Sequence, residues 1–342
     1  MSKSTTSILL SALVCLCYAG AARAEATGAC IKGMDLPAGY RPFSAQSPWN
    51  TPIPADARTA PDSALMIQAL KKEAGGFTAS FEKWSMPVFA IDSKACGEVS
   101  FPTRRDILHQ SVDPKHSLKV MVPMPPDAWP DPEEDGHMVL VDPEAQKAWE
   151  FSALRRKGNK PDSASCIFIW DLRGAGFVPP FSGDGWWTIG ATASGLPIIG
   201  GLITRQEYLS GKIEHALLCA LPTTRKSSKL GGPLELCPPA ARSDGQSIGP
   251  ESIPIGSRLQ LDPTLDLKAL GLSEAVMPVA IAMQRYGLIV SDSGPTFKTY
   301  FQNLGPDKSI WKSGAIMDEL SKIPVDAFRV LDCTLVKKVL KP

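Results

Sequence analysis

Proline and glycine together account for about one residue in six, 31 and 28 of 342, and they are spread along the whole chain. Such punctuation ends helices early and breaks apolar runs into short pieces, so long helices are few and turns frequent. The runs left between the breaks are rich in β-formers. Strands are predicted over 84–91, 118–122, 137–141, 147–151, 166–171, 213–220, 258–261, 288–291 and 328–331. Helices are predicted over 63–73, 274–286 and 310–323, and a short one follows Thr204, which stands three residues before Glu207 at capping-box spacing and runs to Gly211. This pattern predicts a mainly β fold, a β-sandwich or jelly-roll-like arrangement of antiparallel or mixed sheets with a few attached helices.

One hairpin can be drawn in detail. Asp142-Pro143-Glu144-Ala145-Gln146 reads as a five-residue turn, which sets Val141 opposite Lys147, Val139 opposite Trp149 and His137 opposite Phe151. On that register His137 shares a face with Trp149, and Glu150 points the other way.

The chain opens with Lys3, an apolar stretch over 8–20 of secretory length, and Ala22-Arg23-Ala24, a small-x-small cleavage pattern. The expectation is a signal peptide over 1–24 and a single large β-rich domain over 25–342, delivered to the periplasm or the extracellular medium. Six cysteines remain beyond that point: Cys30, Cys96, Cys166, Cys219, Cys237 and Cys333. An even number in an exported chain predicts three disulfides, and the absence of any Cys-x-x-Cys argues against zinc knuckles and thioredoxin-type redox chemistry. The mature charge of about −1 gives no bulk attraction to nucleic acid or an anionic membrane surface. No second apolar span follows, so a monomer with no membrane span is expected.

Candidate chemistry is sparse, with four histidines in the chain. Asp135-Gly136-His137 places a carboxylate and an imidazole at a strand entrance, where they could form an oriented general base or hold a divalent cation, the one cofactor the sequence leaves open; a capped turn beside a packed histidine is the plainer alternative. His215 lies in an apolar strand among Ile213, Leu217 and Cys219, a setting typical of a hydrogen-bonded core histidine. Arg173, after Asp171 at a strand end, could grip a carboxylate or sugar hydroxyls, or simply pair with Asp171. Asp244 sits in a long polar loop of a kind that often carries function. Gly183-Asp184-Gly185-Trp186-Trp187 offers aromatic surface beside an acid. His109 and His116 flank a basic stretch with Arg104, Arg105 and Lys115 that reads as a solvated loop. Ser194 lacks the Gly-x-Ser-x-Gly spacing of a nucleophile elbow, and dinucleotide, P-loop and His-Glu-x-x-His motifs are absent.

The combination of Asp135-Gly136-His137, Gly190-Ala191-Thr192-Ala193-Ser194-Gly195-Leu196-Pro197 and Ile213-Glu214-His215-Ala216-Leu217 resembles a group of exported bacterial proteins over most of residues 40–330. That resemblance implies export and no particular catalytic residue. The jelly-roll polysaccharide lyases carry Gln-x-His and Tyr-x-Lys patterns; the first is missing, and Tyr300 is not followed by the required Lys.

The sequence therefore predicts an exported carbohydrate-active protein whose partner is a polysaccharide or oligosaccharide. As a lyase, Arg173 would neutralise a uronate while His137 or His215 removes the adjacent proton. As a glycoside hydrolase, two carboxylates from Asp135, Glu214 and Asp244 would flank the bond, with Glu150 set aside by the hairpin register. A non-catalytic glycan-binding or envelope protein is the alternative.

Overall fold

The computed structural model describes residues 30–103, 118–158, 160–177, 190–226 and 236–333. The expected signal segment over 1–24, the stretch with His109 and His116, and the segment with Trp186 and Trp187 lie outside these residues. The fold is mainly β, with mixed and antiparallel sheets and few helices. The first large sheet has the order β1 (Ile31–Gly33), β3 (Val88–Ile91), β6 (Met138–Asp142), β7 (Lys147–Ser152) and β10 (Cys166–Asp171). Its β3 and β6 run parallel and its other neighbours antiparallel. The second has the order β15 (Phe328–Val330), β12 (Arg258–Leu261), β13 (Leu288–Ser293), β11 (Leu217–Leu221), β14 (Phe297–Tyr300) and β2 (Phe77–Ser80). Parallel pairs β11/β13 and β14/β2 make it mixed. Two small ribbons, β4 (Glu98–Thr103) with β5 (Leu118–Pro123) and β8 (Arg155–Lys157) with β9 (Lys160–Ser163), complete the described strands.

Alternation along the strands builds a layered core. Val88, Ala90, Val139, Val141, Phe168 and Trp170 of the first sheet pack against Leu218, Ala220, Ile289 and Tyr300 of the second. The opposite face of the second sheet, through Leu217, Cys219, Leu221, Leu288 and Val290, packs against the helices α1 (Ser63–Ala74), α3 (Met277–Arg285) and α4 (Ser313–Leu320). The outer face of the first sheet buries Phe89, Met138, Leu140, Trp149 and Ile167. Among the described residues no helix is long and apolar enough to cross a membrane.

The helix α2 (Arg205–Ser210) carries the expected capping box: Thr204 accepts from the Glu207 N–H, Glu207 reaches back to Thr204, and Gly211 closes the helix in the left-handed region. Trp49 is wholly buried, its Nε1–H donating to the Gly176 carbonyl at 2.8 Å.

Two sequence expectations are corrected. The hairpin pairs Asp142 with Lys147, Leu140 with Trp149 and Val139 with Glu150, one residue out of the expected register. The cause is Asp142, which keeps its backbone in the ladder while its Oδ1 accepts the N–H groups of Glu144 and Ala145, so the turn shortens to Pro143–Gln146 with Gln146 at φ 55°. The one-residue slip turns Glu150 to the face of Val139 and His137. Cysteine pairing also differs: Cys30–Cys96 and Cys237–Cys333 form disulfides, while Cys166 and Cys219 are buried in separate sheets and stay out of disulfides.

Gly136 fixes how His137 enters β6. It adopts φ +45°, and a Cβ there would lie 2.7 Å from the Leu154 carbonyl oxygen. Gly136→Ala is therefore expected to cost more than the ~1–2 kcal/mol of the left-handed conformation alone. A denaturation midpoint that does not move would show that the Asp135-Gly136-His137 turn tolerates a side chain.

Candidate functional site

The two sheets part at one end of their shared core and leave a cleft of about 480 Å³, within the usual range for ligand pockets. From the first sheet it receives Asp135 and His137, at the entrance to β6, and Ser152 at the end of β7. From the second it receives Asp292 and Ser293 at the end of β13, and Lys298 and Tyr300 on β14. Arg242 and Asp244 come from the polar loop. Three of the five residues singled out from sequence, Asp135, His137 and Asp244, thus line one cavity.

His137 is almost fully buried, and its Nδ1 lies 3.1 Å from the Phe151 carbonyl oxygen. A carbonyl can only accept, so Nδ1 is the donor in this contact and Nε2 is the nitrogen that the Phe151 carbonyl leaves uncommitted. His137 is therefore oriented by the hairpin through its Nδ1.

The acidic side is built by the Gly190–Pro197 loop. Thr192 Oγ1 accepts from the Leu196 N–H at 2.9 Å, and the Ser194 N–H donates to the Ser291 carbonyl at 2.8 Å, which clamps the loop onto β13. Ser194 itself is fully buried, which excludes it as a nucleophile. The loop turns the Ala193 N–H onto Asp292 Oδ1 at 2.7 Å, and Ser291 Oγ donates to Asp292 Oδ2 at 2.5 Å. Asp244 accepts from Ser293 Oγ at 2.8 Å and from the Ser293 N–H. Burial raises the Asp292 pKa, and the neighbouring Asp244 carboxylate pushes it further in the same direction. Burial lowers the Lys298 pKa against the opposing pull of Asp292, Asp135 and Asp131. Burial likewise lifts the Tyr300 phenol well above its ordinary value, with Asp292 adding to it.

His215 faces a different, smaller cavity of about 190 Å³, lined also by Arg41, Glu207 and Glu214. Its Nδ1 meets the Ala216 carbonyl at 2.9 Å and its Nε2 meets Glu207 Oε1 at 2.9 Å. With an acceptor on each nitrogen the ring has no lone pair to offer, so it serves as an imidazolium tied to α2. Burial disfavours that charge, but the Glu207 carboxylate outweighs it and raises the His215 pKa. Arg173 lines neither cavity; it is exposed and forms a two-pronged pair with Asp171, Nε to Oδ1 at 2.9 Å and Nη2 to Oδ2 at 3.0 Å.

Glu150, excluded by the expected register, is fully buried on the inter-sheet face. It accepts the backbone N–H groups of Ile198 at 3.0 Å and Ile199 at 2.9 Å. Burial pushes its pKa up to about 7, against the pull of those two hydrogen bonds. It is an anchor for the segment after Pro197.

Among the described residues, no three His, Cys, Asp or Glu side chains gather in a way that could hold a metal ion, so the cation role considered for Asp135 and His137 finds no ligand set there. Asp292 and Lys298 escaped the sequence reading, and Tyr300 entered it only as a mismatch to the lyase pattern. The available signal was Ser291-Asp292-Ser293-Gly294-Pro295, an acid among hydroxyls in a turn directly after an apolar strand.

No protein-family model, no curated protein and no solved structure matches the chain.

Proposed function

We propose that the inter-sheet cleft is the active site of a carbohydrate-active enzyme of the glycoside hydrolase type. The observation that carries this reading is the pair Asp244 and Asp292, two carboxyl groups of one cleft with Asp292 held at a raised pKa by burial and by its partner. Glycoside hydrolysis needs such an asymmetry: a protonated acid for the leaving oxygen and an ionised carboxylate for the opposite role. Asp292 would protonate the departing glycosidic oxygen. Asp244, oriented by Ser293, would activate water or attack the sugar carbon. His137 Nε2 would accept a hydrogen bond from a substrate hydroxyl.

Lyase chemistry has less support. It requires a cation committed to the uronate carboxylate. Arg173 is paired with Asp171 away from the cleft, Arg242 Nη2 donates to the Thr192 carbonyl at 2.6 Å, and Lys298 stands among acids. The two disulfides are consistent with an exported, oxidising setting.

The test is incubation of the mature protein with neutral and uronate-containing polysaccharides, reading both new reducing ends and the ultraviolet absorbance of unsaturated uronate. Reducing ends without absorbance, lost in Asp244→Asn and Asp292→Asn, are expected. Absorbance that survives both substitutions would refute hydrolysis, and binding without any product would make the cleft a glycan-binding site.

A further inference from the structure

Trp84 stands at the mouth of the same cleft in a conformation that bulky residues avoid. Its φ is +55°, its residue surface is 38% exposed, and it lines the cavity together with Asp135 and His137. The chain on either side is pinned. Phe81 stacks on Phe301 with ring centroids 4.6 Å apart, the Asn303 side-chain amide donates to the Glu82 carbonyl at 2.7 Å, and the Asn303 N–H donates to the Met86 carbonyl at 3.0 Å. Ser85, wholly buried, donates to the Phe301 carbonyl, and Met86 is buried beside it. Between the buried Phe81 and Ser85 the chain turns outward through Glu82, Lys83 and Trp84, and Trp84 is the one large apolar side chain of the three, held outward against its own backbone preference. Backbone strain of this kind collects where a side chain must be presented to a ligand.

We propose that Trp84 is the stacking platform of a sugar subsite at the cleft mouth, taking the apolar C–H face of a neutral pyranose ring. The proposal rests on the cleft being a carbohydrate site and adds a substrate class to it. An indole offers a flat apolar surface matched to such a face. Neutrality follows from the lining: Asp135, Asp244 and Asp292 interleave with Arg242 and Lys298, so no wall of the cleft is uniformly basic enough to favour a uronate chain.

The test is calorimetric titration of wild type, Trp84→Ala, Trp84→Phe and Trp84→Gly with cellohexaose, mannohexaose and a galacturonate hexamer, together with thermal melts. The wild type is expected to bind a neutral hexasaccharide in preference to the uronate one. Trp84→Ala and Trp84→Gly should weaken that binding about ten-fold or more, while Trp84→Phe keeps most of it. Trp84→Gly should also melt at or above the wild-type temperature, because glycine accepts the left-handed conformation without penalty. Unchanged affinity in Trp84→Ala, a lowered Tm in Trp84→Gly with binding intact, or preference for the uronate oligomer would overturn the proposal. So would a wild type that binds none of the three. The hydrolase reading fails separately: Trp84-dependent binding with no product released would remove the catalysis and leave the subsite standing.

Discussion

Glu150→Ala is expected to cost about 3–5 kcal/mol of folding stability, the largest loss foreseen for a single side chain in this fold. Both carboxylate oxygens are occupied by the Ile198 and Ile199 N–H groups in a site with no solvent exposure. Alanine would strand two buried donors, each worth about 1–3 kcal/mol when unsatisfied, and would leave a cavity between the sheets. Glu150→Gln keeps one acceptor but turns its NH2 group against the other donor, so about 1–3 kcal/mol is expected. A pH dependence follows from the raised pKa. The folded state holds the proton up to about 7, whereas the unfolded chain releases it near 4.5. The stabilisation is therefore complete below the unfolded value and is lost as pH rises through the folded one, about 3 kcal/mol in total. Urea denaturation at about pH 5 and about pH 8 would measure it. If Glu150→Gln shows the same pH slope as the wild type, Glu150 is not its source.

The same residue shows what could be read from the chain before the fold was known. The capping box at Thr204 and Glu207, the turn at Gly136 and most of the predicted strands follow from local rules, but the strands expected from 84 and 213 start four residues later, at Val88 and Leu217, which leaves His215 ahead of its strand, and β14 was not foreseen. Glu150 depended on a register, and the register depended on whether Asp142 ends the strand or caps the turn. It does both, by using side chain for one and backbone for the other. A local pattern contains no term for that choice, and with a two-residue period an error of one reverses every face.

The lining of the cleft was legible by half for a related reason. Asp135, His137 and Asp244 announce themselves through Gly-flanked or polar-loop contexts. Asp292 and Lys298 sit in or beside short strands whose edges are set by β11, and their convergence is a product of sheet order. His215 reads from the chain as a hydrogen-bonded core histidine or a proton acceptor, but its neighbours along the chain say nothing of Glu207, which arrives from α2 and occupies the second ring nitrogen.

Asp292→Asn is expected to lower turnover by about 10²–10⁴-fold, the usual contribution of a positioned general acid, with little loss of substrate binding. The amide keeps an oxygen for the Ala193 N–H but has no proton of suitable acidity for the leaving oxygen. The wild-type rate should fall as pH rises through the Asp292 pKa, since only the protonated form works. That value is raised by burial and then by the Asp244 charge. Asp244→Asn removes the like charge, so whatever activity remains should lose its basic limb at lower pH than the wild type does. A merely structural pair would lose amplitude in both variants without moving the limb. Rates across pH for wild type, Asp244→Asn and Asp292→Asn therefore separate a coupled acid pair from two carboxylates that only brace the loop against β13. An unshifted limb in Asp244→Asn would count against the coupling on which the division of roles depends.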